Sequence, residues 1–275
     1  MKIIIADHEY MILWDGVYNF PLSDYPRITP FELKKIFAFV DYEKKHGRKT
    51  EIECDDEGVM LAIDRAKKNP DTYVNAALPE KITECTMCPQ RGCVTKYVCH
   101  TTEPENAKKI LSGGKLLSAA RASKKSTDEL KNEKRNAAND PADYFGYIMF
   151  NWGNCQGGYR LAAERMLGRF PSEDDLEKNF RPGVRFFFLY AEIERHPGFV
   201  FDGHLPAKIR DELLLKDYLT ACVIPEALKK DFDGIAIPEL KEKIFYLPQD
   251  GLGLWDWTNK VYEFAESLAF PIIRM

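Results

Sequence analysis

Residues 96–119, KYVCHTTEPENAKKILSGGKLLSA, pass from an apolar run into histidine and two threonines, then through a polar periodic stretch to a glycine pair and a second apolar run. The pattern predicts a strand, KYVCHT, and a helix over EPENAKKILSGG. Thr102 would be its N-cap, Glu105 would complete a capping box, and Gly113–Gly114 would be the stop. KLLSA then reads as another short strand. A packed strand has no need of His100–Thr101–Thr102 at its end. A rigid strand end carrying an imidazole and a hydroxyl can hold a sugar diol by two hydrogen bonds. A plainer reading also fits: Thr102 as a helix cap and His100 as a satisfied, half-buried side chain.

Outward from this stretch the texture alternates. On the N-terminal side, KIIIA reads as a strand. TPFELKKIFAFVDYEKKHG reads as a helix capped by Thr29, with Pro30 in its first turn, Glu32 closing the box and Gly47 as the stop. EGVMLAIDRAKKNP reads as a second helix closed by Asn69–Pro70. On the C-terminal side, YFGYIMFNW, GVRFFFLYAEI, GFVFDG, ELLLKDYLTACVI, DGIAIP and KIFYLP read as strands. YRLAAERMLGR and DGLGLWDWTNKVYEFAESLAF read as helices. Many short strands with intervening helices indicate α+β. The division expected is an accessory lobe over 1–94, small and α/β, ending in a Cys-rich connector, followed by one domain over 95–275. No dinucleotide-type G-x-G-x-x-G and no P-loop occurs.

Composition narrows the functions. The chain has 275 residues, 45% hydrophobic and 12% aromatic, which supports a sizeable core, and a formal net charge of -4. That charge gives no overall basic field for nucleic acid, so such a partner needs a local patch. Residues 115–139 supply one, with seven basic and three acidic side chains, although a solvated surface loop explains them equally well. No apolar run is long enough to span a bilayer, and the acidic residue early in MKIIIADHEY does not suit a secretory signal, so the expectation is a soluble cytoplasmic protein. Seven cysteines then read as thiols. Cys85, Cys88 and Cys93, with Cys99 just beyond, could ligate zinc, but no second knuckle follows, so reduced thiols in a loop are preferred and no metal is assigned.

Two further spots carry chemistry. In DYFGYIMFNWGN, aromatic rings beside a strand offer flat faces to a planar heterocycle; a core strand accounts for them as well. Asp211–Glu212 head ELLLKDYLTACVIP, where a carboxylate can orient a hydroxyl or stabilise a developing cation. NWGNCQGGYR adds Asn151, Trp152 and Arg160 as a candidate second wall, or a plain strand-to-helix turn.

The ordered set resembles the ADP-ribosyltransferase superfamily, most closely the DarT-type DNA ADP-ribosyltransferases. CHTTEPENAKKILSGGKLLSA is similar to that family's opening His-x-Thr strand, helix and Gly-Leu turn. DYFGYIMFN resembles its Asp-Tyr…Phe-Asn strand, GFVFDGH its Phe-Thr-Asp-Gly element, and DELLLKDYLTACVIPEAL its catalytic Glu-headed strand ending in Pro. The resemblance covers about residues 95–240 and implies a split antiparallel sheet with flanking helices, and NAD as a substrate. It implies that His100 bonds the nicotinamide ribose with Thr102 in support, and that Gly114 leaves room for the amide. Tyr144 or Tyr147 would stack on the ring, Arg121 would lie near the diphosphate or the acceptor, and Glu212 would bind the ribose 2′-hydroxyl as the catalytic carboxylate. It also implies a toxin-like effector with an inhibitory, antitoxin-like partner. The interval from FDG to Glu212 is shorter than in that family and the N-terminal lobe has no counterpart there, which leaves DNA base, RNA base and protein side chain open as acceptors. Two alternatives stand beside this reading: an RNA 2′-phosphotransferase-like enzyme, and a non-catalytic Cys-rich nucleic-acid-binding module.

Overall fold

The computed structural model describes residues 1–8, 11–78, 95–133 and 140–268. The N-terminal lobe contains β1 (Lys2–Ala6), β2 (Ile12–Trp14), β3 (Val17–Pro21), α1 (Pro30–Lys45), β4 (Glu51–Cys54) and α2 (Glu57–Lys68). β1 lies between β3 and β4, parallel to both, and β2 adds to β3 as an antiparallel hairpin. Asp15 and Gly16 both take positive φ (49° and 78°) at its tip, the conformation a two-residue hairpin loop demands. α1 begins as its sequence requires: Glu32 N–H donates to Thr29 Oγ1, and Glu32 Oε2 accepts from Thr29 N–H at 2.7 Å. Ile3, Ile5, Tyr18, Phe20, Ile36, Phe39 and Ile63 form this lobe's own core.

After the lobe come β5 (Tyr97–Thr102), α3 (Pro104–Gly113), β6 (Lys115–Leu117), α4 (Ala119–Ser123), α5 (Thr127–Lys131), β7 (Tyr147–Trp152) and α6 (Gly157–Leu167). They are followed by α7 (Glu173–Leu176), β8 (Val184–Leu189), α8 (Tyr190–Ile193), β9 (Phe199–Val200), β10 (Ala207–Arg210), β11 (Glu212–Leu214) and α9 (Leu215–Tyr218). β12 (Leu219–Pro225), α10 (Lys229–Phe232), β13 (Ile244–Leu247) and α11 (Leu254–Leu268) complete the described chain. Seven strands form one sheet in the order β13-β12-β8-β5-β7-β10-β9, while β6 and β11 pair apart as a two-stranded ribbon. The class is α+β, as expected, but the sheet is mixed: β12 and β13 run parallel, where an antiparallel sheet was expected.

Both faces of this sheet are buried, which is why β8 reads as a nearly continuous apolar run. Val98, Phe150, Phe186, Phe188, Cys222 and Ile224 face Leu111 of α3 together with Leu116 and Leu213 of the ribbon. Tyr97, Phe187, Ala221 and Val223 face Tyr159 of α6 and Trp257 and Val261 of α11. Two expected elements differ. ELLLKDYLTACVIP is broken by the helical turn α9, so Glu212 heads the short β11 and Leu219 heads β12. The stretch DGIAIP is a turn rather than a strand; Ile235 and Ile237 still bury against the core from it.

The lobe is keyed into the larger sheet by polar contacts. Gly203, at φ +75°, lies so close to α1 that a Cβ there would sit 1.9 Å from the Lys35 carbonyl oxygen, and its own carbonyl accepts the Tyr18 hydroxyl at 3.0 Å. Tyr42 Oη donates to Asp143 Oδ2 and Arg48 Nη1 to Asp143 Oδ1, each at 2.5 Å. Arg48 also pairs with the fully buried Glu43. Between them Lys208 of β10 and Asp202, both with fully buried side chains, pair at 2.5 Å. The Lys208 ammonium lies 3.3 Å from the ring centre of Tyr144 and 4.3 Å from that of Tyr42. A buried pair of this kind is costly to break from one side only. Lys208→Met is therefore expected to lower unfolding stability by about 3–5 kcal/mol by stranding Asp202, and Lys208→Met with Asp202→Leu by clearly less, as read by denaturant melts.

Candidate functional site

The sheet forks at His100. β5 pairs with β8 along its whole length but meets β7 only at Val98↔Trp152 and Cys99↔Asn151. On its opposite edge β7 pairs with β10, from Phe150 back to Tyr147. The His100 side chain stands at the fork, with Nδ1 3.2 Å from the Met149 carbonyl oxygen. A carbonyl only accepts, so Nδ1 carries the hydrogen and Nε2 keeps its lone pair. Burial pushes this imidazole down to about 4, and the Arg165 guanidinium adds to the shift against the Met149 bond, so the ring is neutral near pH 7. Thr101 accepts from Arg185 Nε at 2.9 Å. Thr102 is buried at the end of β5 and does not cap α3; the N-cap is Glu103, with Pro104 following and no side-chain cap bond. Gly114 ends α3 in the left-handed conformation, and a Cβ there would come within 2.5 Å of Ile237 Cδ1. Backbone geometry and close packing thus account for glycine at this position.

Glu212 follows a strained link. Asp211 takes φ +64°, its N–H donates to Gly146 O at 3.2 Å, and its carbonyl accepts from Ser118 N–H at 2.8 Å. These bonds hold the β6–β11 ribbon at the start of β7, where Glu212 pairs in register with Leu117. His100 touches β7 at Met149 and Asp211 touches the chain at Gly146. Three residues of strand separate the two contacts, roughly 10 Å. Glu212 Oε2 lies 3.3 Å from Arg121 Nη2 and 3.6 Å from Lys115 Nζ, yet it makes no aligned hydrogen bond among the described residues. Two cations of the 115–139 stretch are therefore turned toward this carboxylate, and a third, Lys125, pairs with Glu133. α4 and α5 lie where the sequence suggested only a polar loop.

The tyrosines are placed differently from the expectation. Tyr144 is 2% exposed, with its ring against the Lys208 ammonium. Tyr147 alternates with Ile148 and Phe150, so it projects from the sheet face opposite the cluster-lining side of β5 on which His100 stands; there it faces Tyr42. Neither ring is brought beside His100. Trp152 is buried against Tyr190, and Arg160 stacks on Phe170, 4.9 Å from its centre. Neither forms a wall with His100; Asn151 remains on β7 beside the turn.

Sequence reading missed Arg185. Fully buried on β8, it donates to Thr101 Oγ1, to Gly153 O at 3.1 Å and to Cys155 O at 2.8 Å, and its guanidinium lies 3.9 Å from the Tyr159 ring centre. It ties the glycine-rich turn before α6 to the strand of His100. A lone charge inside GVRFFFL was the available signal. Cys85, Cys88 and Cys93 lie outside the described residues. Cys99 is buried, with Sγ 3.4 Å from Trp152 O and its thiol pushed up to about 11 by burial. Among the described residues, no group of three His, Cys, Asp or Glu side chains could hold a metal ion, and no helix is long and apolar enough to cross a membrane.

No protein-family model, curated protein or solved structure matches this chain.

A pH test follows from the histidines. His100 and His204 are each held down to about 4 by burial, against 6.5 when free. Between those values the unfolded chain binds more protons, so stability is full above about 6.5 and declines as pH falls toward 4, by up to ~1.4 kcal/mol per pH unit for each imidazole. Thermal melts are expected to shift downward across that window, and His204→Gln to flatten the dependence.

Proposed function

We propose that the chain is an NAD-dependent ADP-ribosyltransferase that cleaves the nicotinamide N-glycosidic bond and transfers ADP-ribose to a nucleic-acid base. The observation that carries this reading is the anchoring of two elements on one strand: a neutral imidazole, with a lone pair on Nε2, bonded to Met149, and the Asp211 backbone that precedes Glu212, bonded three residues away to Gly146 on the other edge. In this reading His100 Nε2 accepts a hydrogen from a ribose hydroxyl and fixes the sugar, while Arg185 holds the neighbouring Thr101 and the following turn rigid. The C1′–N1 bond breaks with its electron pair leaving on nicotinamide, whose pyridinium charge is thereby quenched. Positive charge then develops at C1′, where the Glu212 carboxylate stabilises it and orients the 2′-hydroxyl. The acceptor nitrogen bonds C1′ and gives up its proton. Thr102 supports the strand end from beneath, as its burial requires.

The ADP-ribosyltransferase-like arrangement of the domain, a cytoplasmic, toxin-like role and an inhibitory antitoxin-like partner belong to the same proposal. The fork in the sheet and the ordered motifs favour it. The sequence intervals leave the acceptor base to experiment. Glu212→Gln is expected to keep the fold and NAD affinity while lowering nicotinamide release by about a hundredfold or more. Release at the wild-type rate by that variant would remove Glu212 from the reaction. Labelled NAD offered with DNA, RNA and protein pools names the acceptor by which pool takes up label. Absence of both label uptake and nicotinamide release refutes the enzyme reading.

A further inference from the structure

The carboxylate assigned to catalysis is already occupied. Arg121 of α4 and Lys115 of β6 both approach Glu212 Oε2, from a segment that enters and leaves the ribbon carrying it. The three side chains are about a third to a half exposed: 34% for Glu212, 40% for Lys115 and 51% for Arg121. Neither cation makes an aligned hydrogen bond to that oxygen. Glu212 Oε2 is itself shielded from water, but its two cations are partly exposed and lack fixed geometry, and cations so loosely held exchange readily to a better anion. A phosphate offers several strong acceptor oxygens and suits the fork of an arginine with a lysine beside it. With two cations beside Oε2, the charge of Glu212 is already partly neutralised. With those cations drawn off, it becomes a free carboxylate near the start of β7.

We propose that Arg121 and Lys115 form an autoinhibitory clasp on Glu212, and that a phosphate group bridging the two cations releases it. The inference rests on Glu212 being the catalytic carboxylate and adds a gate to that reaction. The phosphate can come from the phosphodiester backbone of the acceptor or from the diphosphate of NAD. In the first case NAD cleavage waits for the acceptor, and hydrolysis of NAD without transfer is suppressed.

The test uses the full chain and has an arm independent of turnover. Binding of a short single-stranded oligonucleotide is measured by fluorescence anisotropy at low salt. Removing the competing carboxylate in Glu212→Gln should tighten it about tenfold, and Arg121→Gln should weaken it. In the kinetic arm, nicotinamide release by the wild-type protein should be slow with NAD alone and rise severalfold with oligonucleotide. Arg121→Gln and Lys115→Gln should release faster than wild type when no oligonucleotide is present. Stimulation by inorganic pyrophosphate but not by oligonucleotide would assign the phosphate to the NAD diphosphate. Unchanged oligonucleotide and pyrophosphate affinity in Glu212→Gln, or slower release in both cation variants, would overturn the clasp. If no form releases nicotinamide while Glu212→Gln still binds oligonucleotide more tightly, the clasp stands as an anion-exchange site and the transferase reading falls.

Discussion

Each edge of a strand can bond only one neighbour at a time, and β7 gives one edge to β5 and the opposite edge to β10. Its last residues complete the ladder with β5, and its first residues belong to β10. Where β5 parts from β7 beyond Cys99, the edge of β7 that faced it would be left as a gap with unmatched backbone groups. Here the His100 ring closes it by donating to Met149 O. The histidine is thus a structural wedge and a chemical group at once, and its neutrality follows from the burial that makes it a wedge. The ribbon bearing Glu212 depends on the same strand, because Asp211 is anchored at Gly146, immediately before β7.

Charge is treated differently in the interior and at the rim. Inside, each cation has a fixed environment: Lys208 has Asp202 and three tyrosine rings, and Arg185 has two carbonyls, a hydroxyl and the face of Tyr159. Arg185 reaches no carboxylate in these contacts, so its positive charge is balanced by dipoles and a ring quadrupole. At the rim, Arg121 and Lys115 meet Glu212 loosely. Rigid interior charges fix the positions of strands, whereas loose rim charges can trade partners.

Much of the helical framework was legible because capping chemistry is local. The Thr-Pro-Phe-Glu start of α1, the Asn69–Pro70 end after α2 and the Gly114 stop of α3 all do what their residue types dictate. Thr102 was misread because Pro104 moves the helix start on by one residue and the strand keeps the threonine. The β2–β3 hairpin escaped notice although Asp15–Gly16 is a strong turn signal, because its strands are short and β2 is largely exposed. Leu213 to Leu219 reads equally well as one long strand; only packing against the ribbon and β13 breaks it into a strand, a helical turn and another strand. At the candidate site, Glu212 could be named from sequence because it heads its strand, and His100 because a polar His-Thr-Thr run interrupts an apolar strand, although β5 continues two residues beyond it. The tyrosines could not be placed, since the parity that decides which sheet face a ring occupies is set by register with β10.

The seat of Gly203 against α1 ties the permissible residues of the two lobes to one another. With the backbone of that turn in contact with the Lys35 carbonyl, and Tyr18 bonded to it from the small sheet, neither surface can drift in sequence without a matching change across the joint. A chain assembled by exchanging the first lobe for an unrelated one would carry an ammonium at position 208 with part of its aromatic enclosure missing. The segment before β5 and the larger sheet therefore behave as one unit across this joint rather than as a detachable module on a host.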